Sequence, residues 1–147
     1  MNLRGVLCLA LALPAGLSAQ RAERRLGVGQ TIHDSLTSAA ATLTADRTYA
    51  QAWTISGNAG HVVTVDLVSE AFDAFLIVRG PGIDSTRALQ DDDSGGRCNA
   101  RLTITFPASA DYAIIVTTSD TRATGAFTLS VRPGAIPPSL ERCRRTQ

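Results

Sequence analysis

The sequence contains no lysine and few aromatic residues. All 14 basic residues are arginine, against 13 acidic residues, and the aromatic residues are one Trp, two Tyr and four Phe. A nearly neutral chain with scattered arginine has no basic surface of the kind that binds nucleic acid. No apolar run is long enough to cross a bilayer as a helix, so we predict no membrane span.

A short apolar segment opens the chain. Arg4 precedes an apolar run at residues 6–13, and Ala19 offers a cleavage point before Gln20. A positive start, a short apolar run and a small residue at its end are typical of a secretory signal peptide. We therefore predict a signal peptide at residues 1–19 and a secreted or periplasmic protein. A buried core helix is the alternative interpretation of this run.

Seven short runs beyond Gly27 alternate large apolar with smaller or polar residues and are separated by turn residues. They lie at residues 30–36, 49–55, 61–69, 75–79, 102–106, 112–116 and 127–131. Period two indicates β-strands, and several short strands without an amphipathic helix favour an antiparallel β-sandwich. We predict an all-β, jelly-roll-like sandwich of seven to eight strands at residues 27–133, with a lead at 20–26 and a tail at 134–147. Residues 38–46 are expected to be a connection, in which residues 39–41 could form a helical turn.

Two cysteines remain after removal of the predicted signal peptide. In an oxidising compartment, Cys98 and Cys143 can form one internal disulfide, which would tie the loop after the acidic run to the C-terminal tail. Closing a loop of about 45 residues stabilises a fold by about 4 kcal/mol in the chain-entropy model. Two free thiols, or pairing between molecules, are the alternatives. The spacing of His and Cys along the chain matches no metal-binding motif.

Three adjacent carboxylates stand in a glycine-rich stretch, DDDSGG at residues 91–96. Like charges at this spacing repel one another, so the loop is expected to lie in solvent, meet a cation or face a basic partner. Calcium binds six to eight oxygen ligands. The candidate calcium ligands are Asp73, Asp91, Asp92, Asp93 and Ser94. No glutamate follows at the EF-hand position, and the alternative is that Asp73 caps a local turn beside a solvated loop.

The order of the motifs resembles the bacterial pre-peptidase C-terminal domain, a small β-sandwich often appended to secreted peptidases. The matching stretches are GVGQT at 27–31, YAQAWTI at 49–55, GHVVTVDL at 60–67, FDAFL at 72–76, DDDS at 91–94, DYAIIV at 111–116 and GAFTL at 125–129. Phe75 stands where the family commonly has tyrosine. The resemblance implies a secreted accessory domain that helps to bind large extracellular substrates. Related domains in clostridial collagenases bind collagen and calcium, so it also implies calcium as a candidate cofactor.

Catalysis has little support in the sequence. The histidines His33 and His61 stand without a motif around them, and the adjacent residues 33–35 point to alternate faces of a strand, so they cannot form a relay. We therefore predict no enzymatic activity. Trp53, Tyr49 and Tyr112 are in phase with apolar residues and are expected in the core, which leaves few aromatic residues for carbohydrate binding.

These observations predict a secreted, non-catalytic binding or accessory domain. Its partner would be an extracellular protein, a polysaccharide surface or a co-secreted peptidase. One alternative is a structural component of the envelope or periplasm without a ligand. Another is a carbohydrate-binding module.

Overall fold

The structure, a computed structural model, describes residues 23–84, 86 and 88–144. The predicted signal peptide at residues 1–19 lies outside this part of the chain. The described residues form nine strands, namely β1 (Thr31–Leu36), β2 (Ala41–Leu43), β3 (Thr48–Gly57), β4 (Val62–Val68), β5 (Ala74–Arg79), β6 (Leu89–Asp91), β7 (Ala100–Thr105), β8 (Ala110–Thr118) and β9 (Gly125–Pro133). The described chain contains no helix that is long and apolar enough to cross a membrane.

The strands form two antiparallel sheets that face each other. The first has the order β1-β9-β4-β7 and the second the order β2-β3-β8-β5-β6. With β2 set aside, each sheet has four strands, and successive strands change sheets except at the β5–β6 hairpin. This is the strand order of a jelly roll. The predicted all-β sandwich is therefore confirmed, and all seven predicted runs correspond to strands.

The two additional strands are short and lie at the edges of the second sheet. Strand β2 pairs with the start of β3, and β6 pairs with β5. Each has three residues, which is too short for a period-two pattern to appear in the sequence. Residues 38–46, which were expected to be a connection, therefore contain a strand, and the alternative of a helical turn at 39–41 is wrong because Ala41 starts β2.

The core fills the space between the sheets with one face of each long strand. In β3, Trp53 and Ile55 are buried while Ala52 and Ser56 are exposed, as period two requires. The expectation that Trp53 lies in the core is confirmed. Leu26, which the sequence analysis placed in the lead, is also buried in the core, and its amide donates a hydrogen bond to a carbonyl of β3.

Tyr112 organises one end of the core. It is 1% exposed, and its ring lies 4.9 Å from that of Phe106, centroid to centroid. Its hydroxyl donates a hydrogen bond to the Ala108 carbonyl at 2.9 Å and accepts one from the Ala108 amide at 3.1 Å. A Cβ at Gly80 would lie 2.3 Å from the Tyr112 ring, so only glycine fits there. The predicted core position of Tyr112 is confirmed, and its hydroxyl is paired with the backbone of Ala108.

The chain beyond β9 crosses the outer face of the first sheet. The Ile136 amide donates to Thr64 Oγ1 at 3.0 Å, and Arg101 donates to the Pro137 carbonyl at 2.8 Å. Beneath this tail, the side chain of Asp66 is only 8% exposed and accepts hydrogen bonds from Arg101 and Arg132. A buried carboxylate is tolerated here because two guanidinium groups neutralise it.

Replacement of Asp66 by alanine should strongly destabilise the protein. Loss of one partner leaves guanidinium groups without their counter-charge, which costs about 3 kcal/mol, at the low end of the usual range because Arg132 is partly exposed. We expect the melting temperature to fall by about 10 °C. Glu23→Ala removes an exposed ion pair with Arg25 and should leave it nearly unchanged. Equal effects of the two changes in thermal unfolding would contradict a special role for Asp66.

Candidate functional site

The acidic loop, residues 92–99, connects β6 to β7. Asp91, the last residue of β6, joins the two ends of this loop. One carboxylate oxygen of Asp91 accepts hydrogen bonds from the amides of Ser94, at 3.0 Å, and Arg101, at 2.8 Å. The other accepts one from the Ser94 hydroxyl. Of the five predicted ligands, Asp91 and Ser94 are therefore engaged with each other and with the start of β7.

A tight backbone conformation turns the loop back toward the sandwich. Gly96, Arg97 and Cys98 all have left-handed φ angles, of 81°, 56° and 65°. Two of these are not glycine and therefore carry strain that the surroundings must offset. A Cβ at Gly96 would lie 2.4 Å from Ser139 Oγ in the C-terminal tail. The loop can approach the tail this closely only because position 96 is glycine.

The tail is fastened to this loop by the disulfide between Cys98 and Cys143. The predicted pairing is confirmed. The Ser139 amide donates to the Ser94 carbonyl at 2.8 Å, and Arg97 forms an ion pair with Glu141 at 2.5 Å. A disulfide of this kind is typical of proteins in an oxidising compartment.

Asp73 lies beside the disulfide, just before β5. Its Oδ2 atom is 3.9 Å from Cys143 Sγ, a contact between two electron-rich atoms because a disulfide sulfur has no hydrogen to donate. One donor atom from each of Asp73, Asp93, Cys98 and Cys143 lies within 4.8 Å of the others. The structure therefore brings two of the predicted ligands, Asp73 and Asp93, to the disulfide.

The loop between β8 and β9 completes this acidic cluster. Asp120 Oδ2 accepts a hydrogen bond from the Asp73 amide at 3.1 Å, and the Ser119 hydroxyl donates to Asp92 at 2.8 Å. We name Asp73, Asp92, Asp93 and Asp120 the acidic cluster. Sequence reasoning missed Asp120, which lies four residues beyond the end of the predicted strand at 112–116.

The crowding of these carboxylates affects Asp93 most clearly. Desolvation by the surrounding loop, and then the negative charges of Asp92 and Asp91, raise the pKa of Asp93 above its ordinary value. Both effects disfavour the ionised carboxylate. Ionisation of Asp93 is therefore less favourable in the folded chain than that of an isolated carboxylate.

A second feature missed by the sequence analysis lies on the outer face of the five-stranded sheet. In β5, Leu76 and Val78 face the core, so Phe75 and Ile77 face outward, where Phe75 is half-buried and Ile77 is 8% exposed. They line a cleft of about 630 Å³ bordered by polar residues. The signal was present in the sequence, because an uninterrupted apolar run is typical of a strand covered on both faces. We call this feature the outer cleft.

The fold is similar to that of several solved structures. The pre-peptidase C-terminal domain of a collagenase from Bacillus anthracis matches with a TM-score of 0.55 and 17% identity, over 74% of this chain and 93% of that one. Two periplasmic inhibitors of g-type lysozyme, PliG from Aeromonas hydrophila and from Salmonella Typhimurium, match with TM-scores of 0.47 and 0.46. Their identities are 18% and 15%, over 75% and 74% of this chain and 99% and 97% of theirs.

No protein-family model matches the chain, and no curated protein matches it in sequence. At an identity of 17%, the collagenase domain establishes a common fold and nothing more specific. At that level it confirms the resemblance to the pre-peptidase C-terminal domain that the order of the motifs predicted.

Asp93→Asn should stabilise the protein at neutral pH in the absence of divalent cations. Because the pKa of Asp93 is raised in the folded chain, ionisation of this carboxyl costs stability. The cost is absent at pH values below the ordinary pKa of 3.8 and complete at pH values above the raised pKa. The melting temperature of the variant should therefore exceed that of the parent at pH 7, and the two should converge below about pH 4. Asp46→Asn, which changes an exposed carboxylate outside the cluster, should shift the melting temperature little. If Asp93→Asn stabilised the protein equally at pH 3 and pH 7, the effect would not come from the ionisation of Asp93.

Proposed function

We propose that the protein is a secreted, non-catalytic accessory domain that binds a large extracellular protein. The observation that carries the proposal is the similarity of fold, which covers 93% of the pre-peptidase C-terminal domain of a collagenase. An accessory domain of an enzyme that degrades a protein fibre needs a binding surface for that fibre rather than chemistry of its own.

The surroundings of the histidine-containing segment on β1 support a non-catalytic role. His33 Nδ1 lies 3.0 Å from Thr128 Oγ1 on the adjacent strand. Asp34 accepts a hydrogen bond from the amide of its own neighbour, Ser35, at 2.7 Å. Asp34 therefore has a local partner and does not orient the imidazole, whereas a nucleophile–base relay needs all three groups in sequence.

The outer cleft is the surface we assign to the protein partner. Phe75 and Ile77 provide apolar area, and Arg79 and Gln90 at the same cleft can hydrogen-bond a polypeptide backbone. Binding surfaces for proteins commonly combine a partly buried aromatic anchor with a polar rim. The outer cleft has this composition.

The proposed binding is tested by co-sedimentation with fibrillar collagen and, in parallel, with insoluble polysaccharide. We expect retention on collagen, weakened about tenfold or more by Phe75→Gln, because truncating an aromatic anchor commonly costs 2 kcal/mol or more. Val68→Gln is the matched control, since Val68 is an exposed apolar residue of the other sheet. Thermal unfolding should show that both variants are folded.

Three outcomes of this experiment would reject the proposal. Retention on polysaccharide alone would favour the carbohydrate-binding alternative. Retention on neither polymer would favour a structural role without a ligand. Retention on collagen that is unaffected by Phe75→Gln would place the binding surface elsewhere.

We also propose that calcium stabilises the acidic cluster. Three carboxylates from two segments, Asp73 before β5 and the adjacent Asp92 and Asp93 after β6, supply the hard oxygen donors that calcium prefers. The raised pKa of Asp93 supports this fit, because a bound cation would offset the charges that raise it. Asp91 and Ser94 are left out of this set because they hydrogen-bond each other.

Calcium at about a hundredfold excess over its dissociation constant should add about 2.7 kcal/mol of stability, or on the order of 10 °C. The sharper test is Asp93→Asn. The variant should be more stable than the parent in chelator and less stable in calcium, because the same charge opposes folding alone and binds the cation when it is present. If Asp93→Asn were more stable than the parent in both buffers, or less stable in both, a calcium site at Asp93 would be ruled out.

A further inference from the structure

The disulfide and two carboxylates form a compact group of four potential metal ligands. The donor atoms of Asp73, Asp93, Cys98 and Cys143 lie within 4.8 Å of one another. They come from three separate segments, namely the residue before β5, the acidic loop and the C-terminal tail. Only the folded chain brings them together.

We propose that reduction of the Cys98–Cys143 disulfide converts this group into a tetrahedral site for a zinc-like divalent ion, with two thiolate and two carboxylate ligands. The inference is independent of the proposed function, because it concerns the reduced chain and a different class of metal.

The ligand set fits zinc in number and in kind. Structural zinc is four-coordinate, with bonds of about 2.3 Å to sulfur and about 2.0–2.2 Å to carboxylate oxygen. A tetrahedron with such bonds places its ligand atoms about 3.3–3.8 Å apart. Donor atoms already within 4.8 Å therefore need only small side-chain rotations once the sulfur atoms separate.

The chemistry requires a two-electron reductant. A dithiol supplies two electrons and two protons, the S–S bond breaks to give two thiols, and the dithiol closes to its own disulfide. Zinc then displaces the two thiol protons to solvent, because the thiolate is the form that binds metal. The oxidised chain has no thiolate to offer, so the disulfide and the metal exclude each other.

The metal would replace the mechanical role of the disulfide. In the oxidised chain, the tail is held to the acidic loop by the bond between Cys98 and Cys143 and by the hydrogen bond from Ser139 to Ser94. A zinc ion ligated by Cys98 and Cys143 would hold the same two segments and add Asp73 before β5. Loss of the covalent link on reduction would thus be compensated only when the metal is present.

The test uses the full chain with Cys8→Ser, so that the site cysteines are its only thiols. A phosphine reduces the disulfide without itself being a thiol, taking its oxygen from water as it becomes the phosphine oxide. Cobalt(II) titration followed by thiolate-to-cobalt charge transfer, and zinc competition against a chromogenic chelator, should each give one ion per reduced chain. The oxidised chain should show no charge-transfer band.

Variants separate a folded four-ligand site from chelation by two thiols in an unfolded chain. Asp73→Asn and Asp93→Asn should each weaken zinc binding to the reduced chain by at least about tenfold, while Asp46→Asn should not. Zinc should also raise the melting temperature of the reduced chain. Affinity that is insensitive to both site aspartates, or no greater than that of the Cys98→Ser, Cys143→Ser double variant, overturns the proposal. Calcium binding to the oxidised chain is measured separately, so either result can fail without the other.

Discussion

The link between the acidic loop and the C-terminal tail determines the geometry of the candidate site. Cys98 stands in a strained, left-handed stretch, and its bond to Cys143 holds that stretch against the tail. The tail in turn crosses the first sheet above Asp66, whose charge is neutralised by arginines on β7 and β9. A short surface loop is therefore attached both covalently and through ion pairs to the rigid sandwich. The position of Asp93 beside Asp73 follows from these attachments rather than from the loop's own sequence.

Chemically identical residues have different roles in this loop. Asp91 accepts three hydrogen bonds and fastens β6 to β7, whereas Asp93 has a raised pKa because desolvation, and then the charges of Asp92 and Asp91, oppose its ionisation. A carboxylate that already accepts two amides and a hydroxyl has little capacity left for a cation. The candidate site therefore excludes Asp91, which the sequence analysis had included, and it includes Asp120, which belongs to another loop.

The sequence predicted the sandwich well because alternation reports directly on which face of a strand is buried. Trp53 and Tyr112 could be assigned to the core from phase alone, and two cysteines in a chain with a predicted signal peptide allowed only one internal pairing. The short strands β2 and β6 were missed because three residues cannot display a period. The sequence analysis grouped Asp73 with Asp93 as candidate ligands, but the addition of Asp120 could not be predicted, since it depends on how separate loops meet at one end of the sandwich. The outer cleft was predictable in principle, because Phe75 and Ile77 break the alternation of β5.

Ser119 connects the two surfaces to which we assign function. Its hydroxyl donates to Asp92 in the acidic cluster, and the same residue lines the outer cleft beside Thr118. A cation that draws Asp92 toward itself must compete with or reorient this hydrogen bond, and a ligand in the cleft acts on the same short loop. Binding that moved Ser119 at either surface would change the free energy of binding at the other, and by linkage the effect would be reciprocal. A partner that binds the cleft more tightly in calcium would reflect this shared loop, without any direct contact between the partner and the ion.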